Sequence, residues 1–217
     1  MSSTVGISAM YAVVSPEKIQ LPPGTVIRIP GSWDDYQQLA QQRGDASIPR
    51  IKYRDGEILL MAPLPVYGRD AHILGQIVTV LLDHTAQEYE AFTPITIDLP
   101  EEGGIEPDYC FYIENWKAVV GKWRIDWQTD PPPDLVIEVD VTSFTSAEDY
   151  LPYQIPEVWI WKNKALQIYR LNEDSYDAVS QSHFFPNLSV PKLIEQCWQQ
   201  AYEKGTSIAI RQLKQSL

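Results

Sequence analysis

The sequence predicts an α/β (or α+β) fold, a central mixed β-sheet flanked by helices, on three observations. One segment has strong helical periodicity, several short apolar runs are separated by turn residues, and one such run is apolar enough to be buried on both faces. A length of 217 residues suits one domain with appended segments, and 44% apolar residues suffice for its core. The chain divides into an extended N-terminal arm (1–30), a folded domain (31–190) and a C-terminal helical tail (191–217).

In the arm, Pro16, Pro22, Pro23 and Pro30 interrupt any periodicity. Ser32 with Asp35 makes a capping-box pattern, and Trp33, Tyr36, Leu39 and Ala40 recur at helical spacing, so a helix is expected over 32–43, stopped near Gly44. Asp55-Gly56 between Arg50–Arg54 and Glu57–Met61 predicts a hairpin. From Tyr67 to Tyr89, Leu74, Ile77, Val78 and Leu81 form a helical apolar stripe, with His72, Gln76, Thr79 and Asp83 on the polar side. Strands are expected at Phe92–Leu99, Asp108–Ile113, Leu135–Val141 and Val158–Trp161. The last turns through Lys162-Asn163-Lys164 into Leu166–Leu171, with Tyr176–Val179 as a further edge. Trp116, Trp123 and Trp127 lie between strands and read as core packing, or, in a non-catalytic interaction module, as an exposed contact patch. In the tail, Leu193, Ile194, Cys197, Trp198 and Ala201 share one helical face, and a second short helix is expected after Gly205.

Charge narrows the function. Lys and Arg number 17 against 29 Asp and Glu, a net −12. That disfavours a protein held on nucleic acid, or on an anionic membrane, by bulk positive charge. It leaves room for an enzyme that grips locally and recruits a divalent cation. Two cysteines make no disulfide framework and fit a reducing compartment. No apolar run approaches the roughly 20 residues of a spanning helix, and the first basic residue is Lys18, so the expected address is the cytoplasm. Gly-rich phosphate loops, nucleophile elbows, Cys-x-x-Cys and His-Glu-x-x-His are absent. Cys110, inside Tyr109-Cys110-Phe111, reads as a buried inert thiol.

The chemistry points to carboxylates. In Asp134-Leu-Val-Ile-Glu138-Val-Asp140-Val141, alternation puts Glu138 and Asp140 on one face of an otherwise apolar strand. A buried carboxylate there must be paired, protonated or bound to metal. Upstream, Pro107-Asp108 opens another strand, and proline is tolerated at that first position. Two carboxylates on neighbouring strands make a hard oxygen site suited to Mg²⁺ or Mn²⁺.

With these residues the sequence resembles a known family. Pro107-Asp108, the strand Leu135–Val139, and Pro156-Glu157-Val158-Trp159, together with Asp55-Gly56-Glu57-Ile58, Met61, Pro63 and His72, are similar to the Uma-type restriction endonucleases. That bacterial family belongs to the PD-(D/E)xK nuclease superfamily. The resemblance spans roughly residues 50–190. It implies a restriction-endonuclease-like core with a metal at its centre. Asp108 and Glu138 would be its ligands, the Val139 carbonyl would complete the shell, and Glu57 would match an acidic residue near the helix preceding the site. The sequence departs from the pattern at the motif lysine, where Asp140 stands. The following stretch, Thr142 to Gln154, has no basic residue. Lys162 and Lys164 read as a solvated hairpin, so three carboxylates are expected to gather without a cation.

The leading expectation is therefore a Mg²⁺-dependent DNA endonuclease weakened by Asp140, with a homodimer by analogy to nucleases that cut both strands. The alternative is a non-catalytic interaction module on a lapsed nuclease scaffold, its acidity suited to a basic protein partner. A carboxylate-pair glycosidase ranks last.

Overall fold

The computed structural model describes residues 21–44, 49–99, 103–140 and 145–217; the expectations for residues 1–20 and for Val141 to Phe144 lie outside them. Strand β1 (Val26–Pro30) leads into α1 (Trp33–Arg43), where Ser32 and Asp35 form the expected reciprocal capping box. The hairpin follows as β2 (Arg50–Arg54) and β3 (Glu57–Met61). Its turn residues, Asp55 and Gly56, have φ of 49° and 78°, the paired positive values of a type I′ turn. The long helix α2 covers Pro65–His84. Next come β4 (Glu90–Phe92), β5 (Ile97–Leu99), β6 (Gly103–Ile105), β7 (Tyr109–Tyr112) and the short α3 (Trp116–Val119). Strand β8 (Leu135–Val139) precedes a 3₁₀ segment (Ala147–Tyr153), β9 (Glu157–Lys162), β10 (Ala165–Asn172) and β11 (Ser175–Val179). Helices α4 (Val190–Lys204) and α5 (Thr206–Ser216) close the chain.

The strands divide between two sheets, where the sequence had predicted one. A small antiparallel sheet has the order β1-β3-β2-β6-β5, and a larger mixed sheet has the order β11-β10-β9-β8-β7-β4. In the larger sheet β8 runs parallel to β9, and the other pairings are antiparallel. The single strand expected over Phe92–Leu99 splits into β4 and β5, one in each sheet. Pro94 lies in the break and has no N–H for a ladder. Within the expected arm, β1 pairs with β3 from Val26↔Met61 to Pro30↔Glu57.

One face of the larger sheet carries Phe111, Leu135, Ile137, Val139, Trp159 and Trp161, and packs on the apolar stripe of α2. The tail belongs to this core through Ile194, Cys197, Ala201, Ala209 and Leu213. Asp70, buried on α2, accepts hydrogen bonds from Trp198 Nε1 at 2.9 Å and Tyr202 Oη at 2.7 Å, fastening α4 to α2. Polar positions His72 and Asp83 on α2 are exposed, as the periodicity predicts. Of the three tryptophans read as core, Trp116 and Trp127 are half-buried, whereas Trp123 is fully exposed. Among the described residues no helix is long and apolar enough to cross a membrane.

Helix α2 approaches β7 closely because Gly75 has no side chain. A Cβ there would stand 2.7 Å from Cζ of Tyr109. Gly75→Ala improves helix propensity by about 1 kcal/mol, but forces either the Tyr109 ring or the helix to move. We expect a net loss of about 1–3 kcal/mol, measured by urea denaturation. A stabilised variant would show that the Tyr109 ring yields freely.

Candidate active site

The other face of the larger sheet carries Cys110, Val136, Val158 and Ile160, and on this face the carboxylates gather. Strands β7 and β8 are antiparallel with Tyr109 opposite Ile137, so one residue further on Asp108 stands opposite Glu138. Both are buried, at 4% and 3% exposure. Asp108 Oδ2 accepts the Val139 N–H at 2.8 Å, which ties it to β8.

The cations come from an element that the sequence reading did not connect to the site. Strand β2 alternates Arg50, Lys52 and Arg54 with Ile51 and Tyr53. The apolar pair packs against Tyr36 and Trp33 of α1, so the basic residues point the opposite way, toward the carboxylates. Arg50 Nη1 lies 2.5 Å from Asp108 Oδ1, and Lys52 Nζ lies 2.5 Å from Glu138 Oε1. Arg54 pairs with Asp149 of the 3₁₀ segment. The Tyr150 hydroxyl donates to the same Glu138 Oε1 at 2.5 Å. On the far side of Pro107, Glu106 is buried and accepts from Arg43 Nη1 at 2.5 Å and Thr96 Oγ1 at 3.1 Å.

Two other candidate carboxylates, Asp140 and Glu57, meet cations of their own. Asp140 is buried at the end of β8, where its N–H donates to the Trp161 carbonyl and its carboxylate meets Lys162 Nζ at 3.0 Å. This corrects two expectations. Lys162 is not a free hairpin lysine, and the carboxylates do not gather without cations. Parallel pairing of β8 with β9 brings Asp140 beside Lys162, a match of strand ends 22 residues apart in sequence that no local pattern reveals. Glu57 is exposed on β3, 3.7 Å from Arg28, at the rim of the site. His72 is exposed on α2, the helix that packs on the opposite face of the sheet.

A cleft of about 850 Å³ lies beside the site, lined by Lys52, Arg54, Arg28, Asp55 and Glu57 and by Glu148, Asp149 and Tyr153. Lys52 thus links the cleft to buried Glu138. Two further buried carboxylates are structural. Asp134 accepts from the Ile113 and Asn115 N–H groups and from Asn115 Nδ2, clamping the segment after β7. Glu157, in the family-like Pro-Glu-Val-Trp stretch, accepts from Trp159 Nε1, Ser182 Oγ and the His183 N–H.

Burial raises the Asp108 carboxyl above its usual range, and the charge of Glu138 adds to this, while Arg50 and the Val139 N–H oppose both. Burial would lower Arg50, but Asp108, Glu138 and Glu106 together hold it above its ordinary value. Burial and the negative charges of Glu138 and Asp108 push the Cys110 thiol well up, so it is no nucleophile. Burial, then Glu138, does the same for Tyr150. Its phenol therefore remains a hydrogen-bond donor at any physiological pH.

A stability prediction follows from Tyr150. A phenol raised in the folded state keeps its proton where the unfolded chain, with a pKa near 10, has lost it. Stability is therefore complete below about pH 10 and falls as pH rises above it. Tyr150→Phe should flatten that alkaline loss by about 1.4 kcal/mol per pH unit relative to wild type, in denaturant titrations from pH 9 upward. Parallel slopes would show that Tyr150 titrates as if exposed.

Among the described residues no group of three or more His, Cys, Asp or Glu side chains is placed to hold a metal ion, so a divalent ion at this site would have two carboxylates, Asp108 and Glu138, each now paired with a cation. Mg²⁺ is commonly held by one or two carboxylates, with waters and substrate phosphate completing its shell. The Val139 carbonyl, at the same strand end, is the backbone candidate.

A model of the Uma2 family, described as "Putative restriction endonuclease", matches residues 33–204. The chain belongs to the Uma2 family. The Uma2 match reaches beyond the expected 50–190, through α1 at one end and to the end of α4 at the other. A crystal structure described as a putative nuclease belonging to DUF820, from Anabaena variabilis, is similar with a TM-score of 0.52 and 16% identity. The similarity covers 78% of this chain and 99% of that one, and it supports a nuclease-like fold for this Uma2 member. No curated protein matches the chain.

Proposed function

We propose that the chain is a metal-dependent DNA endonuclease, with Asp108, Glu138 and the Val139 carbonyl holding Mg²⁺ or Mn²⁺. Lys52 takes the part of the lysine absent from position 140. The observation that carries this reading is Lys52 Nζ at 2.5 Å from Glu138 Oε1, on the wall of the cleft. It supplies the positive charge that the strand motif lacks.

When bound, the ion supplies Lewis acidity toward a phosphodiester and lowers the pKa of a water. The protein's own groups prepare the site. The Val139 N–H fixes Asp108, and the Tyr150 hydroxyl fixes Glu138, so neither carboxylate must reorganise when charge develops. The Lys52 ammonium, at the cleft wall, orients an attacking oxygen and stabilises charge building on the phosphate. Asp140, neutralised by Lys162, stays out of the chemistry.

Nicking of supercoiled plasmid tests the reading. Wild-type protein should cut in Mg²⁺ and stop in EDTA. Asp108→Asn and Glu138→Gln should each lower the rate about 10²–10³-fold. Mn²⁺ should also raise the melting temperature of wild type, since an ion that binds only the folded state stabilises it, and Glu138→Gln should reduce that rise. A wild-type protein that binds Mn²⁺ and never nicks would favour the non-catalytic module instead.

A further inference from the structure

Arg50, Lys52 and Arg54 stand two residues apart on one face of β2, about 6.8 Å from each to the next along a strand. Each meets a carboxylate of the opposing layer: Asp108, Glu138 and Asp149. The first two pairs are secluded, with side-chain exposures of 20% and 3% for Arg50 and Asp108, and 15% and 4% for Lys52 and Glu138. In this layer two positive charges balance two negative ones.

A divalent ion on Asp108 and Glu138 upsets that balance. It satisfies both carboxylates and leaves Lys52 without its counter-ion and Arg50 with only Glu106, which Arg43 already engages, an unfavourable arrangement for two cations largely withdrawn from water. An incoming anion restores neutrality, and the cleft beside Lys52 is the open approach, although Glu57, Asp55 and Asp149 in its lining pair with Arg28 and Arg54 and leave Lys52 as the cation such an anion would meet. A strand of nucleic acid presents a row of singly charged phosphodiesters to a row of cations, whereas a small carboxylate offers one charge. Before the ion arrives, the chain's net −12 charge disfavours a polyanion.

We propose that Arg50 and Lys52 are exchangeable counter-ions that couple divalent-cation binding to phosphodiester binding, so that each ligand binds weakly alone and both bind tightly together. The substrate class is a nucleic-acid backbone, and the ion's place rests on the nuclease reading above. Linkage requires the effect to be reciprocal.

Isothermal titration of the full chain with Mn²⁺, alone and with a phosphorothioate DNA duplex that resists cleavage, tests the proposal. The duplex should lower the Mn²⁺ Kd by about tenfold or more, and Mn²⁺ should lower the duplex Kd by the same factor. Lys52→Met should bind Mn²⁺ more tightly than wild type without DNA, because the competitor for Glu138 is gone, and should lose most of the coupling. Lys52→Arg should keep it. A residue with a merely structural role would instead weaken Mn²⁺ binding when removed. Equal Mn²⁺ affinity with and without duplex in wild type overturns the proposal, and that measurement needs no variant to fold. Weaker Mn²⁺ binding by a folded Lys52→Met also overturns it. Coupling without plasmid nicking supports this proposal and refutes the nuclease reading; nicking without coupling does the reverse.

Discussion

Lys52→Met is expected to lower Mg²⁺-dependent DNA nicking about 10²–10³-fold and to destabilise the metal-free fold by about 3 kcal/mol. The two effects have one origin. Glu138 is buried near the end of β8, and Lys52 supplies its ionic partner while Tyr150 supplies only a neutral hydrogen bond. Removing the ammonium leaves a carboxylate that burial penalises, and removes from the cleft wall the positive charge that meets Glu138. Methionine keeps most of the stem, so lost packing contributes little. Lys52→Arg preserves the charge and should retain most of the stability, but its planar fork places that charge differently and should recover activity only in part. Urea denaturation and plasmid nicking on the same preparations separate the effects. A Lys52→Met protein that nicks at the wild-type rate would remove Lys52 from the chemistry, whatever its stability.

Local elements were legible because their signals are local. Ser32 and Asp35 sit three residues apart and cap α1 as written. Asp55-Gly56 specifies its own turn. The stripe Leu74, Ile77, Val78 and Leu81 is buried as its spacing requires, although the helix begins at Pro65 and ends at His84, short of Tyr89. Asp108 and Glu138 were legible as buried carboxylates of adjacent strands, because a charge in an apolar strand is conspicuous.

Their partners were not. Arg-Ile-Lys-Tyr-Arg carries a period-two signal that marks one basic face and one apolar face. That pattern says which residues point together, not what they point at. The pairing depends on the small sheet lying against the larger one, with Lys52 and Glu138 separated by 86 residues. The division into two sheets was equally hidden, since strand propensity does not state which edge a strand joins. What could have been read is the alternation itself: three cations on one face of a strand upstream of two buried carboxylates are candidate counter-ions.

Asp140→Lys restores the sequence pattern of the superfamily and, on the geometry, should harm the protein. The Asp140 side chain is fully buried and lies 3.0 Å from Lys162 Nζ, whose own side chain is 30% exposed. A lysine in its place sets two ammonium groups together at the junction of β8 and β9, one of them without access to water. Losing a buried pair and gaining a like charge should destabilise the fold by roughly 3–5 kcal/mol. Nicking should not rise, because Lys52 already stands beside Glu138. Asp140→Asn separates charge from shape: it keeps a hydrogen-bond acceptor for Lys162 and should cost about 1–3 kcal/mol. The double variant Asp140→Lys with Lys162→Asp inverts the pair and should recover part of the lost stability, a positive coupling in a double-mutant cycle. Urea midpoints for the four proteins and their nicking rates give the test. If Asp140→Lys alone nicks faster than wild type while remaining folded, position 140 reaches the reacting phosphate, and the lysine on β2 is not the one that serves it.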